Sequence, residues 1–227
     1  MRRLLALSCL VFSAALPAFA DGVLQKARAM SQDGPVYTFN VDVSDTETNF
    51  AMTVDPSKPE GNRVTKISPA PSSLKGDAAK RAQMLQKRTE GDIWCNRFME
   101  NIPATAKRIA ETGTTATFSF TPLPGRNDGQ MGEAYKYLTG SVTIDKSTGG
   151  VLRYEIISPR AFKPAAVAKV DRFSMKVACK PAPDGRTHIE SLVMDLKGSA
   201  LMKPFEQKET RRVSNLQAIP AASFAAP

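Results

Sequence analysis

Hydrophobic and polar residues alternate along most of this chain with the period of two that marks a strand buried on one face. Tyr37, Phe39, Val41 and Val43 alternate with polar neighbours, as do Phe50, Met52 and Val54 beyond the turn Ser44-Asp45-Thr46-Glu47. Val64 and Ile67 predict one more short strand after a loop at 55–61, whose two prolines block ladder pairing. Further on, Ala106 to Glu111 and Thr115 to Thr121 flank a turn at Gly113, with Phe118 and Phe120 on one face. Leu138, Gly140, Val142 and Ile144 alternate, then Leu152, Tyr154 and Ile156, then Phe173, Met175, Val177 and Cys179. Asp184-Gly185 reads as a hairpin turn. After it His188, Glu190, Leu192, Met194 and Leu196 are expected to line one side of a strand, and a last strand covers Lys203 to Val213.

The helical period appears in three places. Val23, Leu24, Ala27 and Met30 predict a short leading helix that closes at Asp33-Gly34-Pro35. From Asp77 to Arg88, Ala78, Ala82 and Leu85 share one face, and Lys80, Arg81, Lys87 and Arg88 the other. Another helix is expected to start after Asp92 as N-cap and stop before Pro103, with Trp94, Cys95, Phe98, Met99 and Ile102 on its apolar face. Nine or ten strands joined mostly by short turns imply an antiparallel meander, since parallel pairing needs long crossovers. The expected class is therefore α+β: a strongly curved antiparallel sheet, a half-barrel, with helices covering its concave face.

The first twenty residues carry an address. Arg2 and Arg3 precede an apolar run from Leu4 to Leu16, and Ala18-Phe19-Ala20 supplies small residues for cleavage. This predicts an export signal (1–20) cut after Ala20, not an anchor, because the run is too short and has no stop-transfer flank. Ala6-Leu7-Ser8 before Cys9 only loosely resembles a lipoprotein cleavage box, so a soluble protein secreted to the periplasm is expected. A single domain over 21–217 and a disordered Ala/Pro tail over 218–227 complete the organisation. Without the leader the chain holds 29 basic and 22 acidic side chains, a net +7. Such a balance suits anionic lipid, acidic glycan or a membrane surface, and equally simple solubility; export argues against nucleic acid. No later stretch reaches the ~20 apolar residues of a bilayer span, so membrane contact would be peripheral. Cys95 and Cys179 then make an even pair in an oxidising compartment, which suggests a disulfide, with two buried thiols as the alternative.

Candidate chemistry is sparse. The one histidine, His188, falls inside a strand, and no Gly-x-Ser-x-Gly elbow accompanies it. Ser72-Ser73-Leu74-Lys75 matches Ser-x-x-Lys, but Lys146-Ser147-Thr148-Gly149 is not the partner motif Lys-Thr-Gly. Asp42 with Asp45, and Asp184 with Glu190, are neighbouring carboxylates on turns and polar faces, where solvated charge explains them. No phosphate loop, metal set or cofactor motif is present, so a non-enzymatic protein without cofactors is expected.

The order of these segments (export signal, leading helix, strands, helical insertion, long antiparallel hairpins) resembles the periplasmic lipoprotein-carrier superfamily, the LolA/LolB-like fold. The stretch Asp55-Pro56-Ser57-Lys58-Pro59-Glu60-Gly61-Asn62-Arg63 is similar to a segment of an uncharacterised exported proteobacterial protein family. The carrier resemblance implies a half-barrel with a helical lid over a cavity that receives acyl chains. The leading expectation is a carrier or sensor for a lipid-like or acylated ligand, its cavity lined by Phe39, Phe50, Trp94, Phe98, Phe118 and Phe120. The alternative is an envelope interaction module that binds a protein or an anionic glycan or lipid surface through Lys80, Arg81, Lys87 and Arg88. Against both, an aromatic stripe commonly caps a core and a charged helix face is commonly just solvated.

Overall fold

The period-two segments become eleven antiparallel strands of one sheet. The computed structural model describes residues 21–46, 48–125 and 129–220; the expected export signal and residues 221–227 of the expected tail lie outside them. The strands are β1 (Tyr37–Asp45), β2 (Asn49–Val54), β3 (Val64–Ser68), β4 (Lys107–Glu111), β5 (Thr115–Phe120) and β6 (Thr139–Asp145). They continue with β7 (Val151–Ile157), β8 (Phe162–Ala165), β9 (Ala168–Pro181), β10 (Thr187–Ala200) and β11 (Lys203–Ala218). Their order is β3-β2-β1-β11-β10-β9-β7-β6-β5-β4, with β8 paired only to β9, so the sheet is open and its edges are β3 and β4.

Residues directly opposite each other on neighbouring strands point to the same face. One such row runs from Phe50 through Val43, Arg211, Leu192, Val177, Tyr154 and Val142 to Phe118. Every member is apolar except Arg211. The row defines the covered face, and topology supplies its cover. The chain leaves β3 at one edge and enters β4 at the other, so residues 69–106 must travel the width of the sheet.

Besides the short 3-10 turn Pro71–Ser73, two helical pieces lie on that route. Helix α2 (Gly76–Arg88) packs on β3, and Ala82 and Leu85 join Phe39, Val41, Phe50, Met52 and Val54 in one core cluster. A 3-10 segment, Cys95–Asn101, contacts β7, β10 and the leading helix α1 (Gly22–Ala29). With Leu24, Ala27, Phe118, Val142 and Tyr154, its Cys95 and Met99 build a second cluster. Asp21 caps α1 by accepting from the Val23 amide at 2.9 Å, and its carboxylate takes two hydrogen bonds from Arg108.

Four local expectations need correction. The segment after Asp92 is not an α-helix: Ile93 and Trp94 stay extended and pair with the start of β10, the Ile189 amide donating to the Ile93 carbonyl at 2.8 Å. Satisfying a strand edge outweighs helical periodicity there, and Asp92 accepts from the Trp94 amide instead of capping a helix. A bulge between Ile189 and Ser191 breaks the expected single face of His188, Glu190 and Leu192, so that Ile189 and Leu192 pack inward together. β8 falls in a stretch where no strand was expected. β11 extends past Val213, and Ala218 pairs with Tyr37.

Candidate functional site

Two clefts flank the extended residues Ile93 and Trp94. The larger, of about 710 Å³, lies among the 32–37 connection, the 56–63 loop and the 90–97 stretch. Arg186 forms its floor. This guanidinium is almost wholly buried and donates to the Gln32 carbonyl at 2.7 Å, the Pro35 carbonyl at 2.5 Å and Asp184 Oδ2 at 2.7 Å. Its flat face covers the Trp94 ring at 3.6 Å, while Tyr37 meets the same ring edge-on at 5.9 Å. A Cβ at Gly34 would stand 2.9 Å from the guanidinium carbon, so a side chain there would push Arg186 out of place. Burial, followed by the nearby Asp184 charge, pushes the Tyr37 hydroxyl above its ordinary pKa, and that hydroxyl stays neutral. Around the mouth Arg97 pairs with Asp92 at 3.2 Å, and Arg63 donates to the carbonyls of Lys58 and Glu90. The three arginines of this cleft are thus engaged in holding its walls together.

The smaller cleft, of about 370 Å³, is a slot between α2 and the sheet. Phe39, Val41, Met52, Leu85, Ile189, Leu192 and Val213 make it apolar, and Arg81, Arg88 and Arg211 stand along it. Arg211 lies in the middle of the covered face, yet its side chain is 45% exposed, so the cover is incomplete at this point. Beneath it the fully buried Glu209 accepts from Arg211 Nε at 2.6 Å and from Arg81, whose Nε also lies 3.7 Å from Asp45. The two guanidiniums converge on this one buried carboxylate, which holds both arginines in place.

The six aromatic residues expected to share a cavity fall into two groups. Phe39 lines both clefts and Trp94 the larger one, while Phe50 is packed in the same core cluster as Phe39. Phe98 stacks on Tyr154 at 4.5 Å, Phe120 lies 6.0 Å from the same ring, and Phe118 is fully buried beside them in the other cluster. Of the basic residues on α2, Lys80 pairs with Asp77 at 3.0 Å, Lys87 and Arg88 are exposed, and Arg81 turns inward to Glu209. Cys95 and Cys179 are joined in a disulfide, with Cα atoms 6.4 Å apart, that ties the 3-10 segment to β9.

Sequence reasoning missed Asn96, a buried polar residue with four hydrogen bonds. Its Nδ2 donates to the Ala27 and Gly149 carbonyls at 2.9 and 3.0 Å; its Oδ1 accepts from the Val151 amide at 3.1 Å and the Thr187 hydroxyl at 3.0 Å. These four bonds use the full capacity of the amide. A polar residue next to a core-facing cysteine was the only signal available in the sequence. Arg186 and Arg211 were equally hidden, the first because it follows a hairpin turn where a solvated charge is expected, the second because it sits in a strand among other charged residues.

For catalysis the arrangement offers little. His188 Nδ1 is committed to the Ile189 carbonyl at 2.9 Å, and burial lowers the imidazole's pKa below the usual value. Ser72 is exposed, in the short 3-10 turn Pro71–Ser73. Among the described residues no group of three or more His, Cys, Asp or Glu side chains could hold a metal ion, and no helix is long and apolar enough to cross a membrane. No protein-family model matches the chain, and neither a curated protein nor a solved structure matches it.

Proposed function

We propose that this protein is a non-enzymatic exported carrier or sensor that holds a lipid-like or acyl ligand in the slot between α2 and the sheet. One observation carries the reading: an arginine stands exposed in an otherwise apolar row of the covered face, beside an apolar slot of about 370 Å³. That volume falls within the range of about 300–1,000 Å³ usual for small-molecule sites. The slot suits the tail of an amphiphile, and Arg211 with Arg88 suits an anionic head. On this reading the sheet is the wall of a half-barrel with the helical pieces over its concave face, as in the lipoprotein carriers. The compartment is the periplasm, reached through a signal cleaved after Ala20; the disulfide favours an oxidising location of that kind.

Native mass spectrometry of protein extracted without denaturant should show bound lipid, and delipidated protein should take up a fluorescent fatty acid. Leu192→Trp, which fills the slot, should abolish uptake. Arg211→Gln should weaken a fatty acid about tenfold more than the matching fatty alcohol, as expected for one lost charge-assisted contact. Protein that carries no lipid and takes up no fatty acid overturns this reading.

A further inference from the structure

The far end of the long hairpins, away from both clefts, is built unlike the rest of the surface. β10 and β11 are joined by Leu201 and Met202 alone, because Ala200 pairs with Lys203. Both residues have positive φ, 50° and 65°, the pair of left-handed conformations that a two-residue type I′ turn requires. Asn-Gly fills such turns at least cost, and leucine and methionine are among the poorer choices. Here the side chains themselves face water: Met202 is 96% exposed and Leu201 70%. The neighbouring β8–β9 turn adds Val167, 60% exposed, and the Leu201 amide donates to its carbonyl at 2.8 Å, which locks the two tips side by side.

The residues nearest the two turns carry only positive charge. The stretches 162–170 and 196–205 contain four lysines, Lys163, Lys169, Lys197 and Lys203, and no acidic residue. All four are exposed; Lys169 pairs with Asp171 and Lys197 with Glu206, whereas Lys163 and Lys203 make no ion pair among the described residues. The hairpin is closely packed just below its tip. Phe205 lies across Gly198, where a Cβ would come 2.9 Å from its ring and 2.2 Å from the Lys169 carbonyl.

We propose that this double turn is a membrane-insertion tip: Leu201, Met202 and Val167 enter the interfacial layer of an anionic phospholipid bilayer while Lys163 and Lys203 meet its headgroups. An apolar point inside a lysine collar is complementary to such a surface in both hydrophobicity and charge. A protein partner would need acidic groups around an apolar socket, and a second copy of the tip would bring like charges together. The proposal is independent of the slot beneath α2 and stands whether or not that slot holds a ligand.

The test uses the full mature chain and two vesicle types, phosphatidylcholine alone and phosphatidylcholine with one third phosphatidylglycerol. The protein should co-float with the anionic vesicles, weakly or not at all with the neutral ones, and less as salt rises. The double substitution Leu201→Asn with Met202→Gly installs the turn's favoured pair, so the variant should unfold at the same temperature or higher while losing at least tenfold in vesicle affinity. Binding that is absent in the wild type, or unchanged in the variant, overturns the proposal. So does a wild-type dimer that the double substitution converts to monomer without any vesicle binding, which would mark the tip as a self-association surface.

Discussion

The Arg186 guanidinium lies flat on the Trp94 ring at 3.6 Å while its nitrogens bind the Gln32 and Pro35 carbonyls. Three separate pieces of chain therefore close on one side chain: the connection after α1, the extended residues before the 3-10 segment, and the β9–β10 turn. Lysine keeps the charge but lacks both the plane and the fork. Arg186→Lys should destabilise the protein by about 2 kcal/mol, the worth of hydrogen bonds made by a charged donor. Trp94 is the only tryptophan, so its emission reports this site alone and should move to the red. An unchanged emission maximum and unfolding midpoint would mean that the clamp holds nothing.

Asn96 joins α1, the β6–β7 turn and β10 through four hydrogen bonds. Replacing it with alanine strands two carbonyls, an amide and a hydroxyl in the interior. Urea unfolding of Asn96→Ala should show a loss of about 3 kcal/mol. A loss below about 0.5 kcal/mol, the range of an ordinary surface change, would deny the hub its role.

His188 supplies a pH dependence. Burial depresses its folded-state pKa; the nearby Lys180 charge acts the same way, while the bond to the Ile189 carbonyl and the Glu190 and Asp184 charges oppose. The unfolded chain therefore binds a proton more readily than the folded one. The stabilising contribution is complete above the unfolded value near 6.5 and is lost as pH falls through the folded pKa. Denaturant midpoints should decline on going from about pH 7.5 to 5.5. His188→Asn should flatten that slope, and an equal slope in the variant would assign the effect to other groups.

The Cys95–Cys179 bridge spans 84 residues of sequence. Intact mass under non-reducing conditions should be two hydrogens below that of the dithiol. Cys95→Ala with Cys179→Ala should cost roughly 4 kcal/mol by chain entropy. Labelling of both thiols in the untreated protein would refute the bond.

Much of the sheet was legible because its signal is local. Tyr37, Phe39, Val41 and Val43 alternate, and they form β1 with those four side chains buried. The Asp184-Gly185 turn and the Gly113 turn likewise sit between the strands expected around them. What failed depended on partners distant in sequence. Ile93 and Trp94 read as helix by periodicity and are extended because the edge of β10 is there to pair with. The bulge at Glu190 reverses a face that strict alternation would have kept. The candidate site was less legible still. Arg81 looked like its basic neighbours on α2, and only the position of Glu209, 128 residues later, turns it inward. Arg211 falls where an outward charge is expected, and its register against Val43 and Leu192 places it on the covered face.

The order of strands has a consequence for how the molecule is made. β1 and β11 are neighbours in the interior of the sheet, joining the block β3-β2-β1 to all the rest. An emerging chain can close its early meander and its later hairpins separately, but the seam between them waits for β11, the last of the described strands in chain order. Until β11 arrives, β1 keeps an unpaired edge of nine residues, and an edge of that kind invites association with other chains. A chain shortened before Lys203 would lose every strand pairing between β3-β2-β1 and the rest of the sheet, leaving only the crossing segment and side-chain contacts such as the Arg186 bonds to the Gln32 and Pro35 carbonyls to hold them together.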